Sequence, residues 1–172
     1  MNTRKSIGSV ALALAVALGL ASGPALAGDG KSLNKNAPNA LVGAWRVEIT
    51  PYNCSDPNQT FPSIFSFLTF AKGGTMLETP SNPRFQPGQR SVGHGYWVRT
   101  GKGAYHSVFE AFVQFTGGNY QQGSQRLQQD IEMTGADSWE SDADIYFYDA
   151  AGDLIVGPGS PGCAKAAGTR LW

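Results

Sequence analysis

Residues 104–148 read AYHSVFEAFVQFTGGNYQQGSQRLQQDIEMTGADSWESDADIYFY, and the apolar side chains in this stretch recur at nearly every second position. Alternation of this kind is typical of a β-strand with one buried and one solvated face. Two glycine-containing runs, 117–119 and 135–137, interrupt the pattern with residues that favour turns. The stretch therefore predicts three consecutive strands that are joined by short turns.

The rest of the chain continues this organisation in both directions. Further strands are predicted within Leu41–Thr50, Ile64–Phe70, Thr75–Thr79, Gly93–Thr100, Leu154–Val156 and Cys163–Leu171. Residues 80–92 contain three prolines, which fits a long loop and not a central strand. No segment shows sustained helical periodicity. The order of eight or nine strands predicts an all-β fold, either an open sandwich or a closed barrel. Tight hairpins favour a single antiparallel up-and-down barrel of about eight strands, because closure removes exposed strand edges.

The composition excludes several classes of protein. The 172 residues carry a formal net charge of +0, with 15% charged and 11% aromatic residues. Disordered chains carry more charge and fewer aromatics. The chain also lacks the basic cluster that would neutralise nucleic-acid phosphates, so no nucleic-acid partner is expected.

The first residues predict a targeting segment. Arg4 and Lys5 precede an apolar stretch, and Ala25-Leu26-Ala27 supplies a small-x-small cleavage pattern. Residues 1–27 are therefore predicted to be a cleaved secretory signal peptide, residues 28–40 a flexible leader and residues 41–172 the barrel domain. The expected location is periplasmic or extracellular. No cysteine lies near the cut to carry a lipid anchor, and no later segment is long enough to cross a membrane.

The chain has two cysteines, Cys54 and Cys163, near opposite ends of the predicted domain. In an oxidising compartment, this count and placement predict a disulfide bond. The alternative is a catalytic thiol, which needs a histidine partner and an electropositive setting. Neither cysteine has a histidine beside it in the sequence.

The inward faces of the predicted strands combine aromatic, small and polar side chains. Small residues beside aromatics leave space, and a few polar groups in an apolar wall are typical of a ligand cavity. The alternative is a filled barrel, in which the glutamines bind buried water. The predicted ligand-binding residues are Phe65, Phe67, Tyr96, Tyr105, Phe109, Leu127, Gln129, Trp139, Ser141 and Phe147.

The stretch Leu41-Val42-Gly43-Ala44-Trp45 resembles the opening motif of the lipocalins and the wider calycin superfamily, in which Gly-x-Trp begins the first barrel strand. The resemblance implies that Trp45 closes the narrow end of a barrel. It also implies that Arg170, near the end of the last strand, packs on Trp45. The Thr-Asp-Tyr motif and the helix beside the last strand of lipocalins are absent, and avidin-like barrels also open with Gly-x-Trp.

Three functions follow. The first is binding of a small apolar or amphipathic molecule inside the barrel, without a cofactor. The second is a cyclase or isomerase in the same cavity, with His94 or Tyr105 as acid or base. The third is a filled barrel that contacts a protein through loop 80–92, with Arg84, Phe85 and Arg90. No metal site is expected, because His94, His106 and Glu110 match no metal-binding spacing. The sequence does not indicate an oligomeric state.

Overall fold

The computed structural model describes residues 37, 39–117, 119–157 and 161–172. The predicted signal peptide and most of the predicted leader lie outside the described residues. The strands are β1 Gly43–Asn53, β2 Asp56–Thr60, β3 Ile64–Phe70, β4 Thr75–Ser81, β5 Gly93–Arg99, β6 Ala104–Gly117, β7 Asn119–Met133, β8 Ser138–Tyr148 and β9 Gly162–Leu171. Among the described residues, no helix is long and apolar enough to cross a membrane.

Eight of the nine strands form a closed barrel. From β3 to β9 each strand pairs antiparallel with the next, β1 pairs with β3, and β9 returns to pair with β1. The closing pairs run from Ala44 opposite Leu171 to Tyr52 opposite Cys163. The predicted all-β, up-and-down antiparallel barrel is therefore confirmed.

Two short segments differ from the prediction. β2 pairs with the last residues of β1 only, outside the ring. The sequence pattern did not reveal it because its five side chains are all exposed and show no alternation of apolar and polar residues. Conversely, the predicted strand Leu154–Val156 is wrong. Leu154 forms an isolated bridge with Tyr148, inside the loop between β8 and β9.

The longest strands have the predicted faces. In β6, Tyr105, Ser107 and Phe109 are buried, and in β7 the same holds for Leu127 and Ile131. Most of their neighbours in sequence point outward and are polar or charged, although Val108 and Phe112 place apolar side chains on the outer side of β6. Alternation determines the faces here because most large apolar side chains of both strands fall on one side.

In β3 and β5, the prediction that Phe65, Phe67 and Tyr96 line the interior is wrong. These rings are 41%, 52% and 52% exposed and lie on the outer wall. Both sides of β3 are apolar, so alternation could not select a face. In β5, Gly95 faces inward, where an added Cβ would lie 2.6 Å from the backbone and Cβ of Phe109. Because Gly95 faces inward, its neighbour Tyr96 must face outward.

One end of the barrel is closed by Trp45 and Trp139. The Trp45 ring is fully buried, lies edge-on to Trp139 at 6.1 Å and donates from Nε1 to the carbonyl of Leu41 at 2.8 Å. Ala40, the last residue of the predicted leader, is 2% exposed and packs into the same core. The ring of Tyr105 packs in this region as well, 5.6 Å from Trp97.

Candidate ligand-binding site

The opposite end of the barrel holds a cavity of about 310 Å³, lined on one side by Asn82, Arg84, Phe85 and Arg90 of the loop that follows β4. Small-molecule sites in proteins span about 300–1,000 Å³, so this mouth cavity lies at the small end of that range. Its wall is largely apolar and is built by Ile49, Phe61, Phe85, Leu127, Ile145 and Phe147. The mouth cavity therefore offers an aromatic and aliphatic surface to a small ligand.

A buried ion pair lies at the inner side of the mouth cavity. Arg90 Nη1 donates to Glu78 Oε2 at 2.7 Å, and both side chains are 4% exposed. Arg90 Nε donates to Gln125 Oε1 at 2.6 Å, and Ser66 Oγ donates to Glu78 Oε1 at 2.9 Å. Removing either member of such a pair leaves a buried charge uncompensated, so the four side chains form one unit.

Local backbone features position this pair. Glu78 follows Met76 on the inward side of β4, and Arg90 is held against β6 by a backbone bridge to Val113. Gly93 leaves room for the carboxylate, because an added Cβ would lie 2.9 Å from Glu78 Oε2. Glu78 lies two residues after Met76, so the alternation of β4 predicts that both side chains face inward. An acidic residue at an inward position was the signal that sequence analysis missed.

The interpretation of Arg90 as a surface contact of loop 80–92 is wrong, since its side chain is almost completely buried. Arg84 and Phe85 of the same loop instead contribute to the wall of the mouth cavity. The guanidinium of Arg84 also lies 5.7 Å from the centre of the Phe61 ring, at the rim. The loop therefore covers one side of the mouth.

Two hydrogen-bond donors remain for a ligand. Among the described residues, Arg90 uses its Nε and Nη1 groups and Gln125 uses its Oε1. Both side chains line the mouth cavity, and Gln125 is 8% exposed. The Nη2 group of Arg90 and the Nε2 group of Gln125 can therefore donate to an acceptor on a bound molecule.

Deeper in the barrel the interior is nearly filled. A second cavity of about 20 Å³ lies beyond Ile49 and Leu127, which it shares with the mouth cavity. This space suffices for about one water molecule. Gln129 lines it, accepts from Ser141 Oγ at 2.9 Å, and has no partner for its own Nε2 among the described residues.

The predicted ligand-binding residues are thus separated into several places. Leu127 and Phe147 line the mouth cavity, and Phe65 reaches its rim from the outer wall. Gln129 and Phe109 border the deeper cavity, with Ser141 bonded to Gln129. Tyr105 and Trp139 pack at the closed end, and Phe67 and Tyr96 lie outside the barrel.

The structure does not bring the two candidate acid–base residues together. His94 is exposed on the outer wall of β5, whereas Tyr105 is buried and donates to the carbonyl of Ala37 at 3.3 Å. A charged group with a shifted pKa also lies on the outer wall. Hydrogen bonding from Ser124, and then the guanidinium of Arg126, hold the pKa of Glu110 below its ordinary value. No group of three or more potential metal ligands occurs in the described part of the chain.

The predicted disulfide between Cys54 and Cys163 is confirmed. Cys163 lies on β9 at the mouth cavity, and the bond joins it to the turn that follows β1. Disulfides persist in oxidising compartments, so this bond favours an extracellular or periplasmic environment.

No family model, no curated protein and no solved structure matches this chain. The resemblance to lipocalins therefore depends on the barrel itself, on the Gly43-Ala44-Trp45 motif and on the packing of Arg170 over Trp45, 4.2 Å from the ring centre.

Proposed function

We propose that this protein is a secreted or periplasmic, lipocalin-like barrel that binds a small amphipathic molecule at its open end. The apolar part of the ligand lies against Phe61, Phe85 and Phe147, and its polar group accepts from Arg90 and Gln125. One observation carries the proposal: an apolar cavity is floored by a buried ion pair that keeps unused N–H groups. The disulfide and the predicted signal peptide support the proposed compartment.

A role in ligand binding explains the buried ion pair better than a role in stability does. Taking two charges out of water costs several kcal/mol per ion, and apolar side chains of the same volume often stabilise a core equally well. A function that needs fixed donors beneath an apolar wall accounts for Arg90 and Glu78 at this position.

The charges of the mouth cavity favour an anionic or neutral acceptor as the polar group. Its ionisable lining residues are Glu78, Arg84 and Arg90, which sum to one positive charge. A ligand cation would meet only the carboxylate of Glu78, whose oxygens are already bonded to Ser66 and Arg90. A carboxylate would instead meet free donors and the guanidinium of Arg84.

Calorimetric titration with three decyl compounds tests this proposal. Decanoate carries an anionic acceptor, decanol a neutral one and decyltrimethylammonium a cation on the same apolar chain. We expect decanoate to bind at least about tenfold more tightly than the cation, which corresponds to about 1.4 kcal/mol. Native mass spectrometry of the protein purified from its own host then identifies the resident molecule.

A matched pair of variants locates the binding site. Phe61→Ala removes an aromatic ring that is 41% exposed at the mouth, whereas Tyr146→Ala removes one on the outer wall of β8. We expect Phe61→Ala to weaken decanoate binding and Tyr146→Ala to leave it unchanged. Equal affinity in both variants, or equal binding of all three decyl compounds, would contradict the proposed site.

A further inference from the structure

The outer wall of β3, β4, β5 and β6 is apolar over an area that a soluble barrel rarely leaves exposed. Six large side chains on this wall are between 41% and 64% exposed to solvent. They define the apolar wall: Phe65, Phe67, Leu77, Tyr96, Val98 and Phe112. We propose that two copies of this chain pair through this wall, an inference that does not depend on the proposed ligand.

The strand register makes the centre of the apolar wall continuous. Thr69 lies opposite Leu77, and Phe67 lies opposite Thr79, so Phe67 and Leu77 are diagonal neighbours. Thr75 lies opposite Tyr96, which makes Leu77 and Tyr96 diagonal neighbours as well. Diagonal side chains on paired strands lie about 7–8 Å apart or less, within contact range for aromatic rings. Phe67, Leu77 and Tyr96 therefore form one continuous centre, which Phe65 and Val98 extend along β3 and β5, whereas His94 and Glu110 lie between this centre and Phe112.

The charge pattern of the wall favours a second copy as the partner. Glu110, the acid beside the patch, is bonded to Arg126 at 2.9 Å, and Arg46 lies over the Phe65 ring at 4.8 Å. Glu48, opposite Phe65 in the pairing of β1 with β3, adds a second acid at the edge, so two acids and two guanidinium groups border the patch with no net charge to select a strongly charged partner. A two-fold contact places the same patch on both sides, and a patch without net charge is complementary to itself.

The opposite side of the barrel excludes the alternative pairing of copies. Asp130 lies opposite Asp142 and Glu132 opposite Glu140, on the strands β7 and β8. Asp144 is a further outward carboxylate on β8, and Lys165 of β9 lies opposite Asp142. Like charges on two copies would repel, whereas pairing through the apolar wall directs both acidic sides away from the contact.

The size of the patch suits a dimer of moderate affinity. The four aromatic rings, 41–64% exposed, together leave about 400 Å² per copy open to solvent, taking about 200 Å² for a full ring. A standard interface buries about 800 Å² per partner. The rings supply about half of this area, and the aliphatic side chains between them add to it. The mouth cavity opens at the barrel end, and of the six residues of the apolar wall Phe65 alone lines it, so a contact centred on Phe67 and Tyr96 lies beside the mouth and not over it.

Sedimentation equilibrium of the purified protein over roughly a hundred-fold concentration range tests the pairing. We expect the mass of two copies for the natural sequence and the mass of one for the double variant Phe67→Thr/Tyr96→Thr. Threonine keeps a residue type that strands favour. Losing two large contacts per copy should weaken the dimer at least about 100-fold. The matched control Tyr146→Thr removes an aromatic ring from the opposite side and should pair normally.

Footprinting of the natural sequence provides a second measurement that does not depend on a variant. Carbene labelling of Phe67 and Tyr96 should fall as protein concentration rises, while labelling of Tyr146 stays constant. A single-copy mass at every concentration, normal pairing of the double variant, or constant labelling of Tyr96 would each overturn the proposal. Co-sedimentation of single copies with phosphatidylcholine vesicles, lost in the double variant, would overturn it in favour of a lipid surface. Decanoate binding that survives in the double variant keeps this result separate from the proposed function.

Discussion

Arg170 lies directly opposite Trp45 in the pairing of β9 with β1, and its guanidinium carbon is 4.2 Å from the centre of the Trp45 ring. These two strands close the barrel, so the contact lies on the closing seam. Arg170 also donates to the carbonyl of Val42 at 2.8 Å and to the carboxylate of Asp137 at 2.9 Å. One side chain thus joins the first strand, the last strand and the turn between β7 and β8.

We expect Arg170→Lys to lower the free energy of unfolding by about 2–4 kcal/mol. Lysine keeps the charge, but it cannot reach several acceptors at once as the planar guanidinium does. Urea unfolding checks this prediction. Arg46→Lys is the matched control, since Arg46 is exposed and its guanidinium lies over the Phe65 ring on the outer wall, and it should cost less than about 1 kcal/mol. If Arg170→Lys were as stable as the natural sequence, the ring contact and the hydrogen bonds of the Arg170 guanidinium would contribute little to the free energy of unfolding.

Gly43→Ala should destabilise the barrel by about 2–3 kcal/mol. Gly43 has a φ of 137°, which favours glycine, and an added Cβ would lie 2.6 Å from Arg170 Nη1. Gly73→Ala serves as the control, because nothing lies within 4 Å of an added Cβ there. Thermal unfolding of both variants measures the difference. Similar melting temperatures would mean that the chain relaxes around the new methyl group.

Glu78→Gln should cost about 3–5 kcal/mol in the free energy of unfolding, because it leaves Arg90 buried without a counter-charge. The double variant Glu78→Leu/Arg90→Met should recover most of this loss, since no buried charge remains. Guanidinium unfolding of the single and double variants measures both effects. In the double variant we also expect weaker decanoate binding, because the donor of Arg90 is gone. Additive losses in the double variant would contradict the view that the pair acts as one unit.

Glu110 should make a small contribution to stability that depends on pH. Hydrogen bonding from Ser124, and then Arg126, lower the pKa of Glu110 below its ordinary value of 4.5. The folded state therefore favours the ionised carboxylate. The contribution is fully present above pH 4.5 and is lost as the pH falls through the lowered pKa. Because both side chains are more than 40% exposed, we expect under about 1 kcal/mol.

The difference in unfolding free energy between the natural sequence and Glu110→Gln measures this contribution. It should be constant near neutral pH and shrink toward zero in acid. A difference that grows as the pH falls would contradict the assignment.

The fold was predictable from the sequence in those strands whose side chains alternate between a buried and an exposed face. In β6 and β7 most of the large apolar side chains fall on alternate, inward positions, so alternation indicated both the strands and their buried faces. The cysteine pairing was also predictable, because two cysteines allow one intramolecular bond.

The candidate site was harder to predict for a physical reason. Phe67 and Tyr96 are aromatic, and a ring on an exposed wall has the same local sequence signature as a ring in a core. Arg90 occupies a loop, and its burial depends on Glu78 twelve residues earlier. The alternation within a strand or loop says nothing about a partner twelve residues away. The alternation of β4 did, however, indicate that Glu78 faces inward.

The closing seam of the barrel is fastened at both ends, by Arg170 over Trp45 at one end and by the Cys54–Cys163 bond at the other. Elsewhere in the barrel one strand pairing is shorter, because β4 pairs with β5 only over Thr75–Glu78 and Gly93–Tyr96. Transient opening should therefore begin between β4 and β5 and not where the chain ends meet. In amide hydrogen exchange, we expect the backbone amides of the β4–β5 pairing to exchange faster than those of the other strand pairs of the barrel. Because Glu78 pairs with Gly93 at the end of this short pairing, opening there would expose the buried carboxylate to water before the closing pair of strands separates.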